Sequence, residues 1–370
     1  MIYLDNAATG GFKPDSVKCA VRASMEACAN PGRSGHALSL ACLERVYACR
    51  KALCDFLGGY SYDRTIFTKN CTEALNIAIF GVLRQGDKVV TTVAEHNSVL
   101  RPLERLSKLG VKVELAPLNE RGEINVTALS ELAANAKAVI ITLASNVTGA
   151  YSDVAAVRTS IPEKTLLICD GAQACGHVNI NMKELGIDAL AVAGHKGMLA
   201  IQGSGALLFS KRVNPDPVLY GGTGSESYNL GMPEFFPDRL ESGTVCYPAI
   251  ISLAEGVAYL KAHFDEMKDK TLHLTGMLIK GLKAISGVKV YSRVNPFGIV
   301  AFSLKNMQSE RAAYILSEDY SICVRGGLHC APLMHEALSS DGLVRASVCS
   351  FNTEREIDAT LSAVAKIAKE

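Results

Sequence analysis

Leu166-Leu-Ile-Cys-Asp170-Gly-Ala-Gln173 is followed, a short crossover later, by Ala191-Val-Ala-Gly-His195-Lys196-Gly197. The first stretch ends an apolar strand pattern on a carboxylate. The second sets a lysine inside another apolar segment. Similar runs recur along the chain: Val89–Val93, Ala138–Leu143, Thr165–Cys169, Ala189–Val192 and Gly205–Phe209. Each reads as a strand buried on both faces, and helical patterns lie between several of them. That alternation predicts an α/β fold with a mostly parallel sheet and crossover helices. Ligands in such sheets sit at the carboxyl ends of the strands. Asp170, His96 and Asn146 all fall just after predicted strands, where they can converge.

After Pro248 the pattern changes. Residues 250–285 read as a long helix, with a break expected near Asp269 or Gly276, and strands follow near Lys289–Tyr291 and Ile299–Ser303. A final helix opens at Thr353-Glu-Arg-Glu356, a capping box in which the Thr and Glu side chains satisfy each other's backbone donors. The expected division is a large domain over 15–250 and a smaller C-terminal α+β domain formed by 1–14 with 251–370.

The composition excludes several classes of function. Lys+Arg 38 against Asp+Glu 37 leaves a formal charge of +1, which gives no electrostatic support for nucleic-acid or acidic-membrane binding. Met1-Ile-Tyr-Leu-Asp5 lacks the basic and apolar regions of a signal peptide, and no apolar run approaches the roughly 20 residues of a membrane span. Twelve scattered Cys in a chain of this length fit a reduced, cytoplasmic protein better than a disulfide framework. No His/Cys pairs show zinc-site spacing, so no metal is expected.

An acid at a strand end and a lysine in an apolar segment suit pyridoxal phosphate, which needs an amine to condense with its aldehyde and a carboxylate to hold its ring nitrogen protonated. Lys196 and Asp170 can fill those roles. Burial lowers a lysine pKa toward the range where the free amine attacks an aldehyde. Thr68-Lys-Asn70-Cys71-Thr72-Glu73 reads as a turn into a helix, where free backbone N–H groups suit a phosphate, although plain N-capping explains the same residues. Cys330 lies in Val324-Arg-Gly-Gly-Leu-His-Cys-Ala-Pro332, whose Gly pair and Pro fit an exposed loop that presents a thiol. A nearby imidazole such as His329, or a cationic group, would raise its thiolate fraction. By contrast Cys42 and Cys49, seven apart on a helical face, and Cys169 in a strand read as small core side chains. Arg345 follows an apolar pair, and its planar fork suits a substrate carboxylate or, equally, an inter-domain salt bridge.

Taken in order, Leu4-Asp-Asn-Ala-Ala-Thr9, Ala94-Glu-His96, Ser145-Asn146, Asp170-Gly-Ala-Gln173, Gly194-His-Lys196, Glu241-Ser-Gly-Thr244, Arg325–Pro332 and Val344-Arg345-Ala-Ser span essentially the whole chain. In this the sequence resembles the class V aminotransferase-fold enzymes, and among them the short-loop branch of the cysteine desulfurase and selenocysteine lyase family. The resemblance implies a pyridoxal-phosphate-dependent transferase fold, L-cysteine or selenocysteine as substrate, a homodimer and a sulfur-acceptor protein. It also implies roles. Lys196 carries the cofactor and moves the substrate's α-proton, Asp170 faces the ring nitrogen, Gln173 donates toward the phenolic oxygen, and His96 stacks on the ring and handles protons. Cys71, Thr72 and His195 contact the phosphate, and Thr244 reaches that of the neighbouring subunit. Arg345, with Asn146 as a second donor, takes the α-carboxylate. Cys330 receives the sulfur as a persulfide.

Some positions depart from the pattern. Ala193 stands where Ser or Thr often binds the phosphate, Leu328 replaces a second His, Cys246 replaces a frequent Asn, and Gly197–Gln202 lacks the usual Pro-containing turn. The rival readings are another class V reaction, such as transamination, which needs no Cys330, and a non-catalytic scaffold, which would have no need of the full Asp170, Lys196, Cys330 and Arg345 set.

Overall fold

A computed structural model of the chain describes residues 1–369. Its strands are β1 (Ile2–Tyr3), β2 (Thr65–Thr68), β3 (Lys88–Thr92), β4 (Lys112–Ala116), β5 (Ala138–Thr142), β6 (Leu166–Asp170), β7 (Ala189–Ala193), β8 (Gly205–Phe209), β9 (Val288–Val290), β10 (Ile299–Leu304), β11 (Ile322–Cys323) and β12 (Val344–Ser347). The helices are α1 (Asp15–Glu26), α2 (Ala37–Phe56), α3 (Cys71–Val82), α4 (Asn97–Ser107), α5 (Val126–Leu132), α6 (Val154–Ser160), α7 (Tyr247–Ala284), α8 (Ser309–Tyr320), α9 (Pro332–Ala337) and α10 (Glu354–Ile367).

Seven strands form one sheet in the order β2-β8-β7-β6-β5-β3-β4. It is parallel from β4 to β7, and β8 runs antiparallel to both its neighbours. Every residue of β5, β6, β7 and β8 is buried. Their continuous apolar runs are therefore what a sheet covered on both faces requires. Two separate apolar clusters cover those faces. The five strands expected from sequence are all present, each with its ends within a residue of the expected ones.

The helix after Pro248 differs from expectation: α7 runs unbroken over 38 residues. A mid-helix glycine costs about 1 kcal/mol relative to Ala, yet Leu274, Leu278 and Leu282, one turn apart around Gly276, are all buried in the smaller core. Burying even one Leu recovers about 1.5–3 kcal/mol, so the helix continues through Gly276. Beyond it lies an antiparallel sheet of order β12-β10-β9, and β1 pairs in parallel with β11. The capping box at Thr353 and Glu356 opens α10 as expected.

The first strand thus belongs to the smaller core, while the next residues cross to the large sheet, where the Gly10 N–H donates to the His195 carbonyl at 2.9 Å. This arm ties the two halves together beside the strand ends that carry Asp170 and Lys196.

Candidate active site

Asp170 ends β6 and Lys196 follows β7, its neighbour in the sheet. Two glycines set how closely their loops approach. A Cβ on Gly176, whose φ is +85°, would lie 2.2 Å from the Gly197 carbonyl oxygen, and one on Gly197 would lie 2.5 Å from that of Cys175. Only backbone can occupy that contact, so the acid and the amine are held by rigid, touching turns. The Asp170 Oδ1 accepts from the Ala172 N–H at 2.9 Å and from the Cys71 thiol at 3.4 Å, and Oδ2 receives no hydrogen bond from any described residue. Burial, reinforced by the Asp170 charge, raises the Cys71 thiol well above its ordinary value, so it remains an S–H donor. Enclosure lowers the Lys196 ammonium, with Asp170 and Cys71 opposing the shift. An amine poised to lose its proton beside a carboxylate with a free oxygen fits pyridoxal phosphate.

A phosphate cradle lies alongside. Asn70 caps α3 by accepting from the Glu73 N–H at 2.9 Å, while the N–H groups of Cys71 and Thr72 find no acceptor among the described residues. Two free donors at a helix N-terminus bind an anion. The Cys71 side chain points at Asp170, so its backbone, not its thiol, is available to the phosphate. Ala193 offers no hydroxyl there.

His96 is the N-cap of α4. Its Nδ1 accepts from the Ser98 N–H at 3.0 Å, which places the proton of the neutral ring on Nε2. The sequence expectation placed its pKa near neutrality for proton handling. Burial, with Lys196 adding to it, lowers its pKa even though Asp170 opposes, so the ring is neutral and suited to stacking. His195 is likewise neutral, pushed down to about 4 by burial, Lys196 and Lys13, and its Nδ1 lies 3.1 Å from the Thr9 hydroxyl.

Arg345 is almost fully buried on β12. Its Nη1 donates to the Asn146 carbonyl at 2.9 Å, its Nη2 to Asp5 at 2.9 Å, and Nε has no partner. Of the two sequence readings, the salt bridge is present: Arg345 bridges parts of the fold, and its Nε–H is left over. The Asn146 amide nitrogen is already given to the His329 carbonyl at 2.7 Å, and the Gln173 amide nitrogen to the Ala7 carbonyl at 3.0 Å. Each bond uses one of the two N–H groups of its amide, so both side chains hold the site's walls and keep a second N–H. Thr244 is exposed, its hydroxyl 3.5 Å from the Asn30 amide. It lines a different cavity, with Lys69 and Gly203, and does not join Thr72 and His96 within one chain.

Cys330 shares a cleft with Thr72, His96 and Arg101. It sits on a tight turn in which His329 (φ +51°) and Cys330 (φ +58°) are both left-handed, costing about 1–2 kcal/mol each. The Asn97 N–H donates to the Cys330 carbonyl at 2.7 Å and holds the turn from the α4 side. His329 does not promote the thiolate as expected. Its ring is buried, bonded through Nε2 to the Leu343 carbonyl at 3.0 Å, and driven down to about 2 by burial, Arg345 and Arg325. The cation beside the sulfur is Arg325, whose Nη2 lies 3.8 Å from Cys330 Sγ. Sequence reasoning passed over Arg325, although it stands in the quoted Cys330 motif. Glu95 was also missed: it is fully buried, with Oε1 taking the Thr92 hydroxyl at 2.6 Å and the Thr142 N–H at 3.0 Å. Its place in Ala94-Glu-His96 was the available signal.

All twelve cysteines are free, and among the described residues no helix is long and apolar enough to cross a membrane and no His/Cys/Asp/Glu cluster could hold a metal.

The family model described as Aminotransferase class-V matches residues 2–360. A probable cysteine desulfurase of Methanothermobacter thermautotrophicus is 32% identical over 371 residues, covering 96% of this chain and 92% of the relative. One from Pyrococcus abyssi is 30% identical over 385 residues, covering 100% and 94%. Among solved structures, the apo cysteine desulfurase from Thermococcus onnurineus superposes with a TM-score of 0.91 at 30% identity, covering 100% of this chain and 94% of that one. The S-sulfonic acid form of the cysteine desulfurase CsdA from Escherichia coli gives 0.88 at 26%, covering 99% and 94%.

Proposed function

The chain belongs to the class V aminotransferase family, and we propose that within it the protein is a pyridoxal-phosphate-dependent cysteine desulfurase, converting L-cysteine to L-alanine with the sulfur held on Cys330. The observation that carries this reading is the placement of Cys330: an exposed thiol on a strained turn, in one cleft with His96 and Thr72 and beside the Arg325 guanidinium. A transaminase has no use for that arrangement.

Bound at Lys196, pyridoxal phosphate supplies an aldehyde for the substrate amine and a ring that withdraws electrons from its Cα. The Cys71 and Thr72 N–H groups would hold the phosphate, Asp170 Oδ2 would pair with the ring nitrogen, and His96 would cover the ring. Arg345 takes the substrate carboxylate, exchanging part of its contact with Asp5 or using its free Nε–H. Lys196, once released as a free amine, accepts the α-proton at Nζ and returns it. Cys330 Sγ then bonds to the substrate sulfur as the Cβ–S bond breaks, and the electron pair left on carbon takes a proton to complete alanine. Arg325 sits where the sulfur carries negative charge. A second copy of the chain, contributing Thr244 to the phosphate, and a protein or thiol that removes the persulfide complete the proposal. Free cysteines throughout favour a reducing cytoplasm.

The test is to load the protein with cofactor, supply L-cysteine or L-selenocysteine, and assay alanine and protein-bound persulfide for wild type and Cys330→Ala. Alanine with persulfide in the wild type, and loss of both in the variant, is expected for cysteine. Undiminished alanine formation by the variant would refute the role of Cys330, and turnover of selenocysteine alone would move the reaction to a selenocysteine lyase.

A further inference from the structure

Behind Cys330 lie two buried imidazoles that the reaction does not use. His329 and His335 are almost fully buried, with ring centroids 5.8 Å apart. Each makes one hydrogen bond, His329 Nε2 to the Leu343 carbonyl at 3.0 Å and His335 Nδ1 to the Ser340 hydroxyl at 2.8 Å. Each keeps one buried nitrogen without a protein partner, His329 Nδ1 and His335 Nε2. Because His329 Nε2 donates to a carbonyl, its Nδ1 is an acceptor. If His335 Nδ1 accepts from Ser340, its Nε2 carries the complementary N–H.

We propose that His335 is a positioning residue for Cys330: it forms with His329 a neutral, buried brace that holds the left-handed His329-Cys330 turn and so keeps the sulfur beside Arg325. Two consecutive non-glycine residues at positive φ persist only when their surroundings overdetermine them. Asn146 and Asn97 fix the two carbonyls of the turn, and the rings fix its buried side chain. His335 rides on α9, the short helix that starts just after Cys330, so the brace also joins that helix to the turn. Burial lowers both imidazoles, and Arg345 and Arg325 further oppose charge on His329, so the brace stays neutral. Without the His335 ring, His329 can turn away from Leu343, the backbone relaxes, and Sγ leaves the guanidinium.

This inference rests on Cys330 being the reacting thiol, and its test does not depend on turnover. Iodoacetamide labelling of Cys330 in the apo-protein is followed by peptide mass spectrometry for wild type, His335→Phe and His335→Gln. The Phe variant keeps a ring in that space and is expected to stay within about twofold of wild type. The Gln variant removes the ring that packs on His329 and is expected to label about tenfold more slowly, equivalent to roughly 1.4 kcal/mol. Nitrogen-15 spectra of the wild-type histidines are expected to show His329 as the Nε2–H tautomer with no titration near neutrality. Equal labelling in all three proteins overturns the proposal, as does a His329 ring that titrates near neutrality in the wild type. The second measurement stands even if His335→Gln does not fold.

Discussion

Replacing Glu95 by Gln should make the protein more stable at pH 8 and leave it nearly unchanged at pH 5. Glu95 has no exposed surface, its Oε2 has no partner, and the nearest charge, Asp170, has its own sign. Burial therefore raises its pKa from 4.5 to about 8, against the opposing hydrogen bonds from Thr92 and Thr142. In the unfolded chain the carboxyl ionises near its ordinary value, whereas the folded protein holds the proton until about pH 8. Between those values the folded state binds one more proton. Stability contributed by this group is thus complete below the lower value and falls by about 1.4 kcal/mol per pH unit above it. Over the full window the loss is on the order of 4–5 kcal/mol. Gln keeps the Oε1 acceptor and cannot ionise, so the difference between variant and wild type should open steadily from pH 5 to pH 8. Urea unfolding of the apo-proteins at intervals of one pH unit measures it. The titratable groups facing Glu95 across β6, Asp170 and Cys169, are common to both proteins and leave the sign unchanged. A stability difference that does not vary with pH would refute the claim that Glu95 is a neutral acid.

Two other substitutions test the frame and the substrate contact. Glu241 pairs with Arg50 through both oxygens, at 2.6 and 2.9 Å, and also takes the Phe67 N–H at 2.6 Å, all of it buried. Glu241→Ala strands a guanidinium stacked on Phe67, and denaturant titration should show a loss of about 3–5 kcal/mol. Arg345→Lys keeps the charge but loses the planar fork. Steady-state kinetics should show KM for L-cysteine rising about 10- to 100-fold, the value of one charged hydrogen bond, with little change in the cofactor spectrum.

The strands were legible because burial on both faces leaves continuous apolar runs such as Ala138–Thr142, which no surface strand shows. Asp170 and Lys196 were legible because polar residues that interrupt such runs need a reason. What the sequence could not convey was direction. In the turn read as a phosphate site, the Cys71 thiol turns to Asp170, while its backbone N–H has no acceptor among the described residues. His329 was expected to help Cys330 as a base, but it faces inward toward Leu343 and is neutral. Both outcomes depend on which rotamer the packing allows, and residue order carries no record of that. Arg325 was overlooked for a related reason: it stands five positions before Cys330, and the left-handed turn folds the sulfur back to within 3.8 Å of its guanidinium. The continuity of α7 through Gly276 shows the same limit, since the leucines that override the glycine bury themselves against strands distant in sequence.

The N-terminal arm gives these separate observations a common mechanical basis. Asp5 holds Arg345 of the smaller sheet, and within a few residues Thr9, Gly10 and Lys13 all bond to His195, the neighbour of Lys196. Among the described residues Lys13 has no acidic partner, and burial lowers it to about 8; its Nζ lies 3.1 Å from the His195 carbonyl. Under the proposed function, a carboxylate arriving at Arg345 would compete with Asp5 for Nη2 unless it took the free Nε–H. The same segment ends bonded to the peptide next to Lys196, so under the proposed function a substrate carboxylate that displaced Asp5 would loosen the arm that holds the Lys196 loop, linking Arg345 to Lys196 through a few residues of backbone.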